Sequence, residues 1–172
     1  MADEPPDGFA QFVATRSPAL LRTAWLLTGD AGKAEDLLQT ALAAAWRRWR
    51  EVPPTGDPVA YVRRTMVNLY ASWWRRRWRG EVPTADLPEP PAAADVAGTV
   101  ANRDAVRGAL ARLSRQQRAI VVLRYVEDLS VDETARVLGC SPGTVRVQAF
   151  RALAALRADP DLRLPQPEEV GK

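Results

Sequence analysis

The chain has 172 residues, 47% hydrophobic and 26% charged, with a formal net charge of +3, which suits one domain or two small ones. It has no histidine and one cysteine, Cys140, which excludes a Cys/His zinc site, a histidine-dependent triad and an internal disulfide. No apolar run approaches the ~18–20 residues of a membrane span and the start, MADEPPDGF, is acidic, so a cytoplasmic protein without membrane, metal or cofactor is expected.

All but two of the 24 basic residues are arginines, the exceptions being Lys33 and Lys172. Arginine grips phosphate with a planar fork and stacks on bases. All six tryptophans lie between Trp25 and Trp78, so the aromatic residues divide the chain.

In chain order, Phe9, Phe12, Val13, Leu20, Leu21, Ala24 and Trp25 predict one or two amphipathic helical segments. Asp30 is placed to cap a helix from 31 to about 50, on which Leu38, Leu42, Ala45 and Trp49 recur at helical spacing. Pro53, Pro54, Gly56 and Pro58 break it. A third helix is expected over 58–79. Its core stripe is Val62, Met66, Leu69 and Trp73, and a second stripe holds Arg64, Asn68, Ser72, Arg75 and Arg79. No acidic residue occurs in 58–80, so that second stripe would meet phosphates. Trp74 and Trp78, set among arginines, suit stacking on unpaired bases.

The next stretch, GEVPTADLPEPPAAADVAGTV, is rich in proline and alanine and carries Glu81, Asp86, Glu89 and Asp95 without a basic residue. It reads as a flexible acidic linker. The expected organisation is a first domain over 8–79, a linker over 80–101, a second domain over 102–158 and a tail over 159–172. Both domains are small and helical, so the fold class is all-α.

In the second domain Val106, Leu110 and Leu113 predict a first helix. Ser114 caps a second, bearing Ile120, Val121, Leu123 and Arg124. Then VDETARVLGCSPGTVRVQAF, residues 131–150, spells a helix-turn-helix. Ser130 with Glu133 forms a capping box, and Ala135 allows close helix approach. Gly139 supplies a positive φ, Ser141 and Pro142 start the next helix, and Val145 plugs the angle between the two. Such a second helix can enter the major groove. Val145, Ala149, Ala152 and Leu156 should face inward; Thr144, Val147, Gln148 and Arg151 should face outward, with Arg146 at the side.

A basic, tryptophan-flanked helix, an acidic linker and a helix-turn-helix, in that order, resemble a sigma factor of the sigma-70 family. The likeness is to the extracytoplasmic-function class, which keeps only regions 2 and 4, and the wording TAWLLTGD and GDPVAYVRRTMVN is similar to an actinobacterial, SigE-like branch. The resemblance covers nearly the whole chain. AEDLLQTALAAAW, residues 34–46, resembles the signature that grips the β′ clamp helices of RNA polymerase, which implies Asp36, Leu37 and Gln39 as polymerase-binding residues. AYVRRTMVNLYASWWRRR, residues 60–77, resembles the segment that recognises and opens the −10 element. That implies −10 contacts by Arg64, Asn68, Ser72, Arg75 and Arg79, and a flipped base in the loop over 52–60. Unstacking costs a few kcal/mol, which stacking of ~1–3 kcal/mol per base offsets. Residues 110–157 resemble region 4, implying −35 contacts by Thr144, Arg146, Val147, Gln148 and Arg151 and a hold on the β flap. After GTVR the family usually shows a serine and often an arginine, whereas Val147 and Gln148 stand here, so −35 specificity does not transfer from relatives.

The resemblance implies no enzyme. It implies a protein that binds core RNA polymerase and promoter DNA, with the linker in the RNA exit path, and it leaves an anti-sigma partner open. A linker of about 21 residues spans ~65 Å if polyproline-like but only ~25 Å as a coil, against ~50–70 Å between promoter elements at ~34 Å per DNA turn. It must therefore be nearly extended. The rival readings are a stand-alone helix-turn-helix regulator, which leaves residues 34–46 and the Asn68 stripe unexplained, and a nucleotidyl-transferring or nuclease enzyme. The latter needs clustered carboxylates, and Glu35 with Asp36 is the first domain's only tight acidic pair.

Overall fold

The computed structural model describes residues 6–52, 56–78 and 100–162. Among them are seven α-helices, one π-helical turn and no strand. α1 (Phe9–Thr28) is a single helix that carries Pro18 inside it, so the first apolar segment is not divided. It stops at Gly29, whose φ of 68° suits a residue without Cβ and whose N–H donates to the Trp25 carbonyl. Asp30 caps α2 (Ala31–Arg47), its carboxylate accepting from Lys33 N–H at 2.8 Å. The helix ends about a turn earlier than expected, yet Trp49 stays buried, donating from Nε1 to the Asp7 carbonyl at 3.0 Å. Phe9 meets Trp46 and Trp49 edge-on at 5.1 and 4.9 Å, an arrangement favoured by the ring quadrupoles.

α3 (Pro58–Trp78) packs on α1 and α2. Its buried stripe is rotated from the expected one. Val62 and Met66 are buried, but Leu69 and Trp73 are only half-buried, while Val67, Tyr70 and Trp74 are buried. The stacking role expected of Trp74 is therefore corrected: it is 8% exposed and lies 5.8 Å from Tyr70, ring to ring. The reason is that α3 is covered on two sides, by the α1–α2 pair and by the C-terminal helices. The buried arc is consequently wider than one amphipathic stripe. The Trp78 side chain, Arg79 and the linker lie outside the described residues.

The C-terminal half holds α4 (Val100–Arg112), α5 (Arg115–Val121), a π-helical turn (Val122–Val126), α6 (Val131–Leu138) and α7 (Pro142–Arg157). Ser114 and Gln117 form a capping box on α5. Val106, expected in the core of α4, is 41% exposed. Arg112 ties the end of α4 to Asp159 at 2.7 Å and Asp161 at 2.6 Å.

The two halves do not stand apart. One hydrophobic core runs from Leu20, Leu27, Leu37 and Met66 to Ile120, Leu123, Leu138 and Val145. Leu26 of α1 also packs against Leu110, Leu113 and Val121. Arginines fasten the seam. Arg118 donates to the Thr28 carbonyl at 3.2 Å, with its guanidinium against Gly29, where a Cβ would come within 2.4 Å of it. Arg107 lies 4.7 Å over the Trp25 ring. Burial pushes the Arg118 guanidinium below its ordinary value, and burial pushes the Tyr70 phenol beside it upward.

Candidate nucleic-acid interface

The first candidate face is the polar side of α3. Its helical spacing brings Arg64, Asn68 and Arg75 along one wall of a cleft of about 700 Å³. All three are exposed, Ser72 is half-buried, and Arg79 lies outside the described residues. The opposite wall belongs to the C-terminal half, with Glu127, Asp128, Glu133 and Arg136. The first wall is free of carboxylates and the second is rich in them. Arg63, one residue from the predicted stripe, crosses the cleft: Nε donates to Glu127 Oε2 at 3.2 Å, and Nη2 donates to Glu127 Oε1 and the Val126 carbonyl, each at 2.9 Å. Sequence reading missed this pair, because nothing local marks partners 64 positions apart.

The acidic wall is shaped by an irregular stretch of backbone. In the π-helical turn Glu127 N–H reaches back to the Val122 carbonyl at 2.9 Å, and Arg124 bonds the Leu129 carbonyl. Asp128 then takes φ 54°, the only positive φ of a non-glycine residue among those described. The capping box of α6 follows: Glu133 N–H donates to Ser130 Oγ at 3.1 Å and Ser130 N–H to Glu133 Oε2 at 2.8 Å. Hydrogen bonding from the Ser130 N–H, and then from its side chain, holds the Glu133 carboxyl below the usual carboxylate value, and Arg136 and Arg64 add to the effect.

The second candidate face is the outer side of α7. Gly139 closes α6 at φ 64°, its N–H donating to the Ala135 carbonyl. Ser141 Oγ accepts from Thr144 N–H at 3.1 Å and lies 2.9 Å from Thr144 Oγ1, and Pro142 begins the helix. Val145 is fully buried in the angle with Ala135. This is the helix-turn-helix expected from residues 131–150. Cys140 sits half-buried in its turn, and burial pushes the thiol up.

Arg146, Val147 and Arg151 project to solvent, as does Phe150, 73% exposed and not singled out by sequence. A helical wheel places Phe150 off the Val145–Ala149–Ala152 stripe, on the same outer half as Val147, so the signal was available. Leu156 is only half-buried. Gln148 is not free on the outer face: it is half-buried and its Oε1 accepts from Gln117 Nε2 at 3.1 Å. Thr144 is likewise occupied with Ser141.

A third surface lies on α2, where Glu35, Asp36 and Gln39 are exposed together. Leu37 departs from the expectation. It is 0% exposed, because it follows Ala34 by three residues and precedes Ala41 by four on the core face, so it braces the helix and offers no surface to a partner. Among the described residues no group of His, Cys, Asp and Glu side chains could hold a metal ion, and no helix is long and apolar enough to cross a membrane.

Known families match both halves of the chain. The profile of sigma-70 region 2 matches residues 12–80 and that of sigma-70 region 4 matches residues 103–156. The RNA polymerase sigma-E factor of Streptomyces coelicolor is 45% identical over 151 residues, covering 88% of this chain and 85% of its own. The protein of the same name from Streptomyces antibioticus is 43% identical over 155 residues, covering 90% and 86%. The ECF RNA polymerase sigma factor SigL of Mycobacterium tuberculosis is 32% identical over 142 residues, covering 80% of each chain. Among solved structures, the sigma factor RpoE of Bartonella quintana, in complex with the anti-sigma factor NepR, superposes with a TM-score of 0.53 at 24% identity, covering 88% of this chain and 96% of that one. At that identity the likeness concerns the fold alone.

Proposed function

The chain belongs to the extracytoplasmic-function class of the sigma-70 family, whose members are RNA polymerase sigma factors, and from that premise we propose how its surfaces divide the work. Region 2 occupies about 8–79 and region 4 about 102–158, with the acidic segment between them as linker. The α3 face bearing Arg64, Asn68, Ser72 and Arg75, continued in the sequence by Arg79, takes the separated −10 strand. Asn68 reads a base edge, and the arginines hold phosphates. Asp36 and Gln39 meet the β′ clamp helices. The outer side of α7 enters the major groove at −35, with Arg146 and Arg151 on phosphate or guanine and Val147 against apolar base edges. Thr144 and Gln148 lie at the margin of that contact, since both have internal partners. Region 4 also engages the β flap.

The protein is a cytoplasmic initiation factor and carries out no bond-making chemistry of its own. The relative from Bartonella quintana was solved with an anti-sigma factor, and an anti-sigma protein is a partner proposed here by analogy. The observation that carries the reading is the combination, in one chain, of an acid-free basic face on α3 and a helix-turn-helix with its outer side open. A stand-alone regulator would use only the second of these. Run-off transcription with core RNA polymerase on a library of promoter fragments is the test. Initiation that depends on this protein is expected; duplex binding without initiation would favour the regulator.

A further inference from the structure

The cleft between the halves is not a neutral gap. Glu127 is 5% exposed on its side chain while its partner Arg63 keeps 37%. The carboxylate thus sits inside the seam and offers two oxygens to one guanidinium. That fork is the geometry in which an arginine takes a phosphate. Arg63 immediately precedes Arg64 on α3 and shares the cleft wall with Asn68 and Arg75, so it stands where a DNA backbone following that wall would pass. Asp128, held at its strained φ, and Glu133 extend the negative wall past Arg64.

We propose that the acidic turn of region 4 is a built-in stand-in for the −10 strand: Glu127 occupies a phosphate site on Arg63, an additional DNA-binding residue, and keeps the free protein closed. The inference rests on the assignment of α3 to the −10 strand. Opening exchanges one ionic contact for another, so the DNA strand and Glu127 compete for the same fork. The wall carries apolar groups too. Val67 and Ala71 are buried on the α3 side, and Leu129 and Val137 line the other. Closure is therefore a packed state with an ionic clasp at its rim. α3 meets the C-terminal half through α6, while the outer face of the recognition helix α7 stays exposed, so closing hides one DNA face and leaves the other open.

The experiment uses the full chain without polymerase and a fluorescein-labelled single strand carrying the −10 element of a promoter found by run-off transcription. Glu127→Gln keeps the shape of the turn and removes the charge. It should tighten strand binding about tenfold in anisotropy, the scale of one charge-assisted contact, and enlarge the radius of gyration in small-angle X-ray scattering. The salt slope should steepen by about 0.7 as one more phosphate is engaged. Arg63→Gln added to that variant should cancel the gain in affinity and in slope. Asp104→Asn on α4, exposed and not lining the cleft, removes one negative charge and should leave binding within twofold of wild type. Equal strand affinity in wild type and Glu127→Gln would overturn the proposal, as would tightening that survives loss of Arg63 or is matched by Asp104→Asn. Run-off by wild type with core polymerase is read first, since it supplies the −10 element of the probe. Its failure would remove the −10 assignment itself, whereas normal run-off with any of the overturning results would remove the closed-state clasp alone.

Discussion

The two surfaces proposed to meet DNA in this sigma factor are built from similar residues and presented in opposite ways. On α7, Arg146, Val147, Phe150 and Arg151 project straight to solvent, because a helix-turn-helix fixes its outer face through contacts made by residues close in sequence. On α3, Arg64, Asn68 and Arg75 line a cleft whose far wall is acidic and comes from the other half of the chain. Availability of a binding face is thus decided separately from its chemistry. On the proposed assignment, a duplex element can be met by the free protein, while an unpaired strand must displace Glu127 and its neighbours.

The sharpest break of this contrast removes the span between the faces. Deleting about ten linker residues shortens even an extended connection by ~31 Å and should abolish run-off from promoters that need both elements; unchanged transcription would mean that the faces are not used together. Next in size is the core the halves share. Met66→Ala should cost ~2–5 kcal/mol in urea unfolding, as for other buried large-to-small changes. It should also lower the thermal midpoint of both halves in one transition, since Met66 lies in the cluster that continues to Ile120 and Leu123. Two separate transitions, with only one shifted, would show that the seam is weak.

Smaller effects separate the roles of single residues. Asn68→Ala is expected to reduce promoter opening, read with permanganate, about tenfold while core binding holds. Asp36→Ala with Gln39→Ala should weaken core binding first. Equal loss of both activities in both variants would merge the two roles. On α7, Gln148→Ala should change −35 base preference less than Arg151→Ala does, because Gln148 is tied to Gln117, and a full promoter-variant scan reads this directly.

The mildest prediction concerns pH. The folded Glu133 carboxyl lies below the ordinary glutamate value, so its share of stability is complete above that ordinary value and is lost as pH falls through the lower folded one. Chemical unfolding from pH 6 to pH 3 should show wild type losing slightly more stability than Glu133→Gln, which retains a capping-box acceptor.

The local grammar of the chain was legible before any coordinates. Asp30, Ser114, Ser130 and Ser141 are caps whose bonds span three residues, and Gly139 serves a φ that its neighbours demand. Sequence alone therefore established the helices, the helix-turn-helix and the family. Tertiary structure decided which faces those helices could keep. Leu37 and Trp74 moved from contact surface to core, Gln148 turned to an internal partner, and Arg63 found Glu127. A cap is satisfied within one turn of backbone and leaves its mark at fixed spacing. A seam between halves depends on how two finished helical units dock, and no spacing in the chain records which arginine will meet which carboxylate.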